Sequence, residues 1–294
     1  MSKPHPSSLE LYTQAAEHSS NAVIASYSTS FGVATKLLAP EIRQHVRNIY
    51  ALVRVADEIV DGAAAEARVG GGNVEPSFAL DQLEAEIYKT LRSKFSGNLV
   101  VHAFAKTANE TGFARGIIEP FFVSMRMDLW PRKHTPESFQ KYVYGSAEVV
   151  GLMCLHAFVK ESDFSMQDYK QIVKSARALG AAFQKVNFLR DLSADFEKLG
   201  RSYFPDVDPT TFNEYQKAEL LGYIREDLKV AAAGLKFLPV SSRKAVAAAQ
   251  MLFTELANLI EKTPAEQMLR ARISVPNPTK FLIVLKALIG VVPK

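Results

Sequence analysis

Two stretches of the chain gather carboxylates at helical spacing. The first is YALVRVADEIVD at positions 50–61, in which Asp57 and Asp61 stand four residues apart. On a helix such a pair leaves one face, a turn from each other. Glu58 is beside them, and Arg54 lies one turn before Glu58 and close to Asp57. Two carboxylates on one face, with apolar residues packing the other, suit a shared hard cation such as Mg²⁺. The plainer alternative is a solvated face laced with i,i+4 ion pairs, and this stretch by itself favours it.

The second stretch, QKVNFLRDLSAD at 184–195, is harder to read as a solvent face. Asn187, Asp191 and Asp195 follow at i, i+4 and i+8, and Gln184 extends the row upstream. Each step of four advances a helix about 40° beyond a full turn, so the row winds gently. Phe188, Leu189 and Leu192 point elsewhere, and GRSYFP at 200–205 reads as a helix exit. Two such helices facing each other would bring Asp57, Asp61, Asp191 and Asp195 into one cage with Asn187. That cage would be too charged to persist without cations. Mg²⁺ keeps several waters and binds through a few carboxylates plus phosphates, which makes a diphosphate the natural third component. Arg54, Arg190 and Arg201 suit its remaining oxygens, because a guanidinium matches phosphate geometry.

Helical elements must carry these rows. Apolar residues recur at three- and four-residue spacing over 41–60, 80–94, 99–108, 138–160, 166–197, 212–237 and 241–261. Pro40 and Pro136 stand where helix starts tolerate proline. No alternating strand pattern and no Asn-Gly or Asp-Gly hairpin is present. The breaks, at 69–76, 130–135, 202–209 and 275–278, are short. The expectation is one all-α domain over 1–294 of about ten or more helices, with residues 1–20 as a flexible lead-in.

Composition narrows the function classes. A chain of 294 residues with 48% hydrophobic content can bury a large core. The net charge of +4 fits an anionic substrate or an anionic membrane surface, and equally no partner. There is no run of five or six Lys/Arg and no nucleic-acid-reading motif, so nucleic acid is not an expected partner. The single cysteine, Cys154, excludes an intrachain disulfide and a Cys-rich metal site and points to a reducing, cytoplasmic setting. The six histidines, among them His102, His134 and His156, show no metal-ligand spacing. The N-terminus lacks the apolar segment of a secretory signal. The apolar stretch 281–292, interrupted by Lys286, is at about 12 residues too short to span a bilayer and reads as a buried or surface-docked last helix.

Four motifs in order resemble those of the squalene/phytoene synthase family. They are Ser-x-Ser-Phe at Ser28, Ser30 and Phe31; Tyr-x-x-x-Arg-x-x-Asp-x-x-x-Asp at Tyr50, Arg54, Asp57 and Asp61; Gln-x-x-Asn-x-x-Arg-Asp-x-x-x-Asp at Gln184, Asn187, Arg190, Asp191 and Asp195; and Gly-Arg-x-Tyr-x-Pro at Gly200, Arg201, Tyr203 and Pro205. The segment YVYGSAEVVG at 142–151 looks like the family's central helix, with Glu148 where many relatives have glycine. The small residues Gly145, Ala147 and Gly151 there serve either close helix contact or channel lining.

The resemblance implies a class I isoprenoid synthase helical fold around a central active-site cavity. It implies head-to-head condensation of two allylic prenyl diphosphates through a cyclopropylcarbinyl diphosphate. It implies Mg²⁺, with Mn²⁺ as a substitute, held by Asp57 and Asp61 on one side and by Asn187, Asp191 and Asp195 on the other. Catalytic roles fall to Tyr50, Arg54, Arg190 and Tyr203. Substrate contacts fall to Ser28, Ser30, Phe31, Gln184, Arg201 and Arg272, with Arg272 preferred to Arg270. A deep apolar channel must shield the cations from water, and Phe31, Phe188 and the central-helix face are its candidate walls.

The favoured product is phytoene from geranylgeranyl diphosphate, for carotenoid synthesis. The alternatives are squalene or dehydrosqualene from farnesyl diphosphate, with NADPH needed only for squalene. A class I cyclase is disfavoured by the Gln-x-x-Asn-x-x-Arg-Asp pattern, and a non-catalytic scaffold of the same fold by the intact aspartates. A hydrocarbon product implies peripheral membrane contact and hand-off to a downstream desaturase.

Overall fold

The structure is a computed structural model that describes residues 5–28, 30–130, 133–160 and 162–293, without the side chains of Ser30, Phe31, Val33, Lys198 and Leu199. Among these residues it forms fifteen α-helices and no β-strand. In order they are α1 (Ser8–Tyr27), α2 (Ser30–Thr35), α3 (Pro40–Val60), α4 (Ala63–Val69), α5 (Pro76–Ser93), α6 (Leu99–Thr111), α7 (Arg115–Met127) and α8 (Pro136–Val143). A π-turn (Tyr144–Glu148) joins α8 to α9 (Val149–Val159). Then follow α10 (Met166–Arg190), α11 (Leu192–Leu199), α12 (Glu214–Gly234), α13 (Val240–Lys262), α14 (Ala265–Met268) and α15 (Asn277–Leu288), with a 3₁₀ turn (Leu235–Phe237) between α12 and α13.

Two large apolar clusters, with two smaller ones beside them, hold the helices. Ile49 and Leu52 of α3 meet Phe104 of α6, Phe121 and Phe122 of α7 and Met153 of α9. Val186 and Leu189 of α10 meet Ile224 of α12 and Ile260 of α13. Each such fully buried side chain contributes about 1.5–3 kcal/mol by leaving water. Helix α10 is the strut common to both halves, packing on the π-turn, α9, α12 and α13. Its crossing with α9 is close: a Cβ on Gly151 would stand 2.6 Å from the Ala176 carbonyl oxygen. One on Gly180 would stand 2.5 Å from the Ala147 carbonyl oxygen.

Three features differ from the sequence reading. Much of the expected flexible lead-in is helix. Ser7 caps α1 through a capping box with Glu10, and Ala16, Ser20 and Ile24 are buried as α1 packs on α3 and α6. The helix expected over 166–197 ends at Arg190 and restarts at Leu192. The run Pro136–Val159, not weighed as a span in the sequence reading, is among the described residues the one helix long and apolar enough to cross a membrane by length and composition. Here it is a packed core element between α7 and α10.

Candidate active site

Helix α3 carries Tyr50, Arg54, Asp57 and Glu58 over its last three turns, and Asp61 caps its C-terminus. A helix C-terminus carries partial negative charge, so three carboxylates there are unfavourable on electrostatic grounds alone. Arg54 is their local counter-charge. It pairs tightly with Glu58, lies 3.9 Å from Asp57, and sits 4.3 Å above the Tyr27 ring. Burial pushes the Asp57 carboxyl up to about 7. Arg54 opposes the rise, and Asp61, Asp128 and Glu58 add to it.

Across from α3, α10 ends in a bend at Asp191. The i→i−4 bonds nevertheless run through it, from the Asp191 amide to Asn187 and from the Asp195 amide to Asp191, each 2.9 Å. Asn187, Asp191 and Asp195 thus stay in one row, spread over α10, the bend and α11. Arg190 holds Asp191 in a two-pronged contact, and Arg272 Nε donates to the same carboxylate at 3.0 Å. Burial alone would raise the Asp191 pKa, but these two guanidiniums outweigh it and hold the group low. Asp195 goes the other way, to about 6, through burial and the neighbouring Asp191 and Asp61, against Arg201 and Arg190.

Arg201 ties the two sides together. Its guanidinium donates to Asp61 at 2.5 Å, to the Asp128 backbone carbonyl and to the Tyr203 hydroxyl at 3.3 Å. The Tyr142 hydroxyl donates to the buried Asp128 carboxylate at 2.5 Å. Tyr203 stacks on Phe188 at 4.0 Å and on Tyr142 at 5.3 Å. Burial, then Asp128, pushes both tyrosine hydroxyls up, so they remain neutral donors.

Behind the two helix ends lies a cavity of about 700 Å³ walled by α3, α9, α10 and α13. Its charged and amide residues come from the same ends, Arg54, Gln184, Asn187 and Arg190 beside Ser28 and Tyr50, with Arg272 and Lys280 from the C-terminal segment, while the hydroxyls of Thr35, Ser146, Ser175 and Ser274 are spread along the wall. Towards the starts of α3 and α10 the lining turns apolar, with Val46, Phe158, Ile172 and Leu238. From Ile172 to Arg190 the α10 axis spans about 27 Å. The lining contains no Asp, Glu or His among the described residues. Cys154 lines it as a neutral thiol, pushed by burial to about 12.

The structure therefore brings Tyr50, Arg54, Ser28, Gln184, Asn187, Arg190 and Arg272 to one cavity and sets Asp57, Asp61, Asp191 and Asp195 on its rim. Arg201 and Tyr203 stand behind the rim as supports of Asp61 and of the aromatic stack. Arg270 points away and pairs with Glu266 on the surface. The side chains of Ser30 and Phe31 lie outside the described residues. Phe188 is a core residue and not a channel wall; Phe183 and Phe253, stacked at 3.7 Å, line the cavity instead. Ser146, Ala147, Val150 and Gly151 of the central segment do line it, while Glu148 turns to Arg177 of α10 at 2.7 Å. Asp128, a partner of Arg201, and Tyr142, which donates to Asp128, were missed as members of this network. Each is isolated in sequence, and only the fold brings them together.

No three acidic, histidine or cysteine side chains are already drawn around one point among the described residues. The donor set nonetheless fits a hard divalent cation. Oxygen ligands stand at two helix ends, and Asp57 and Asp195, raised first by burial and then by neighbouring carboxylates, would each have their charged form favoured by a cation.

An all-α fold of this kind, with two acidic helix ends facing each other over one apolar cavity, is that of the class I isoprenoid synthases. Residues 24–279 match the squalene/phytoene synthase family, and the chain belongs to it. It is a prenyltransferase of the head-to-head type that acts on prenyl diphosphates. It is 27% identical to phytoene synthase 2 of Solanum lycopersicum, over 94% of this chain and 91% of the other. A crystal structure of a dehydrosqualene synthase in complex with ligand superposes with a TM-score of 0.78 at 20% identity, covering 96% of this chain and 98% of that one. The squalene synthase HpnC from Alicyclobacillus acidocaldarius gives 0.71 at 16% identity, over 86% and 95%. These two likenesses concern the fold.

Proposed function

We propose that the chain joins two molecules of geranylgeranyl diphosphate into phytoene, releasing two diphosphates and two protons. The observation that carries this reading is the cavity with cationic and amide side chains at one end and, at the other, walls that are hydrocarbon but for the hydroxyls of Thr35 and Ser175. The phytoene synthases among its relatives favour the longer substrate and the carotenoid product.

In this reading Asp57, Asp61, Asn187, Asp191 and Asp195 hold Mg²⁺, with Mn²⁺ as a substitute. The bound metal supplies Lewis-acid stabilisation of departing diphosphate. Arg54, Arg190 and Arg272 bind diphosphate oxygens from the polar end, and Lys280 adds a point charge. For Arg190 and Arg272 this means exchanging Asp191 for phosphate. Tyr50 and Gln184 orient the head group. Arg201 and Tyr203 keep Asp61 and the rim in place.

The apolar walls keep water from the allylic cation, which would otherwise be captured as an alcohol. With no carboxylate or imidazole along the described lining, the protons lost after each carbon–carbon rearrangement leave towards the diphosphate held at the polar end. Because the product partitions into lipid, we place the enzyme in the cytoplasm at the membrane periphery, where a desaturase takes up the hydrocarbon.

Purified protein incubated with geranylgeranyl or farnesyl diphosphate and Mg²⁺, with and without NADPH, tests this by identification of the extracted hydrocarbon. Phytoene from the longer substrate, independent of NADPH, is the expected outcome. Dehydrosqualene, or squalene formed only with NADPH, would replace the substrate assignment. No product under any condition would overturn the catalytic one.

A further inference from the structure

Helix α15 is apolar on two opposite sides. Ile283 and Ala287 are buried against α13. At 3.6 residues per turn, Phe281, Leu282, Leu285, Leu288 and Ile289 form a second stripe, centred on the opposite side. All five are exposed, Phe281 to 72% and Ile289 to 74%. A surface helix normally turns a polar face to water. Val291 and Val292 after the helix, and Val240 at the start of α13, extend the exposed apolar area.

The charge around this patch has one sign. The segment from Gln267 onward holds no acidic residue; Arg270 in it pairs with Glu266, Arg272 and Lys280 line the cavity, and Lys286 is the exposed charge on α15 itself. From Lys229 to Thr254, the stretch that leads into and through most of α13, there are four basic residues and again no acidic one. Lys236, Arg243 and Lys244 rim a surface groove of about 490 Å³ between the α12–α13 turn and the C-terminal residues Gly290, Val291 and Val292. Lys244 also donates to the Leu288 carbonyl at 2.9 Å, fixing the end of α15 over α13.

This surface backs directly onto the inner cavity. Leu235, 3% exposed, lines both the surface groove and the cavity. Ala245, Val246 and Ala249 of α13 also line the cavity, and Lys280, on the first turn of α15, reaches its wall.

We propose that α15 and the adjoining groove form the surface by which this chain docks on an anionic lipid bilayer, with Leu235 as the partition between that surface and the cavity. An apolar stripe flanked by lysines is the pattern that sinks to the headgroup boundary while its charges meet anionic lipid. A second copy of the chain fits less well, because two such faces would bring like charges together. The docking does not depend on the reaction assigned above.

The test is co-flotation of the full chain, without substrate, on vesicles of phosphatidylcholine alone or with phosphatidylglycerol. The wild type is expected to float with the anionic vesicles, and salt is expected to weaken the binding. The double variant Phe281→Glu, Ile289→Glu is expected to lose at least about tenfold in partitioning while keeping its thermal melt and its turnover in detergent. Lys236→Glu on the groove rim with Lys286→Glu on α15 tests the flanking charge separately, should the first variant fold poorly. Unchanged flotation of a folded variant, or equal binding to neutral vesicles, would overturn the proposal. So would a concentration-dependent dimer that the apolar variant abolishes while flotation persists. Because flotation is read without turnover, a failure of the phytoene assignment leaves this result intact.

Discussion

The two acidic helix ends solve the same electrostatic problem differently. At the end of α3, Asp57, Glu58 and Asp61 crowd the negative pole of a helix, where Arg54 is committed to Glu58 and Arg201 to Asp61. Asp57 is left with a distant partner and a raised pKa. At the bend after α10, Asp191 has two arginines, one adjacent in sequence and one 81 residues away, and its pKa is lowered. The α3 end therefore holds surplus negative charge, which favours a cation. At the α10 end Asp191 is closed by guanidiniums, which an incoming anion can draw away, while Asp195 beyond the bend is raised by burial and by Asp191. Cation and diphosphate have complementary entry points before either arrives.

The largest effect separates nothing and tests both ends together. Asp57→Ala and Asp191→Ala should each reduce turnover by about a thousandfold or more, with helical circular dichroism retained. Product formation from labelled substrate checks this, and full activity in either variant would remove that end from the site. Next comes ligand linkage. Mg²⁺ with inorganic diphosphate should stabilise the protein by about 2.7 kcal/mol at a hundredfold excess over Kd, read as a rise in Tm. In Asp57→Asn the gain should shrink to a small fraction, and a gain equal to the wild type's would show that the cation does not depend on α3.

Stability without ligands should split the ends by sign. Asp57→Asn removes a crowded negative charge at a helix C-terminus. It should stabilise by about 1 kcal/mol, allowing for solvent screening of a partly exposed side chain. Asp191→Asn leaves two guanidiniums short of a partner and should destabilise by about 1–2 kcal/mol. In a chain of this size these are Tm shifts of roughly 2–4 °C in opposite directions. Shifts of the same sign would dissolve the contrast between the two ends.

Much of this contrast was legible in the sequence, and the illegible part has physical causes. The helical spacing of Asp57 with Asp61, and of Asn187 with Asp191 and Asp195, was readable because i,i+4 rows survive any packing. The bend at Asp191 was not, since no proline or glycine marks it and the backbone hydrogen bonds continue through it. Helix α7 escaped notice because Gly116 and Pro120 interrupt its pattern. Helix α1 did so because it buries small residues, Ala16 and Ser20, while Leu9 and Leu11 face water. The Arg201 link between Asp61, Asp128 and Tyr203 joins positions up to 140 apart, and only the fold reveals such a link.

The smallest expected effect lies away from both ends. The Glu148 side chain pairs with Arg177, whose guanidinium sits 5.0 Å over the Tyr144 ring. The pair rests on the outer side of the α9–α10 crossing, because Ser146, Ala147, Val150 and Gly151 face the cavity and Glu148 does not. Arg177 is half exposed, so the pair is worth about 0–1 kcal/mol. Glu148→Gln should therefore shift Tm by about 2 °C or less and leave turnover within about twofold. Both are read from one thermal melt and one rate measurement. A large loss of turnover with an unchanged melt would mean that the π-turn at Tyr144–Glu148 transmits its geometry to the cavity wall. The contrast between two helix ends would then have to become a comparison among three regions.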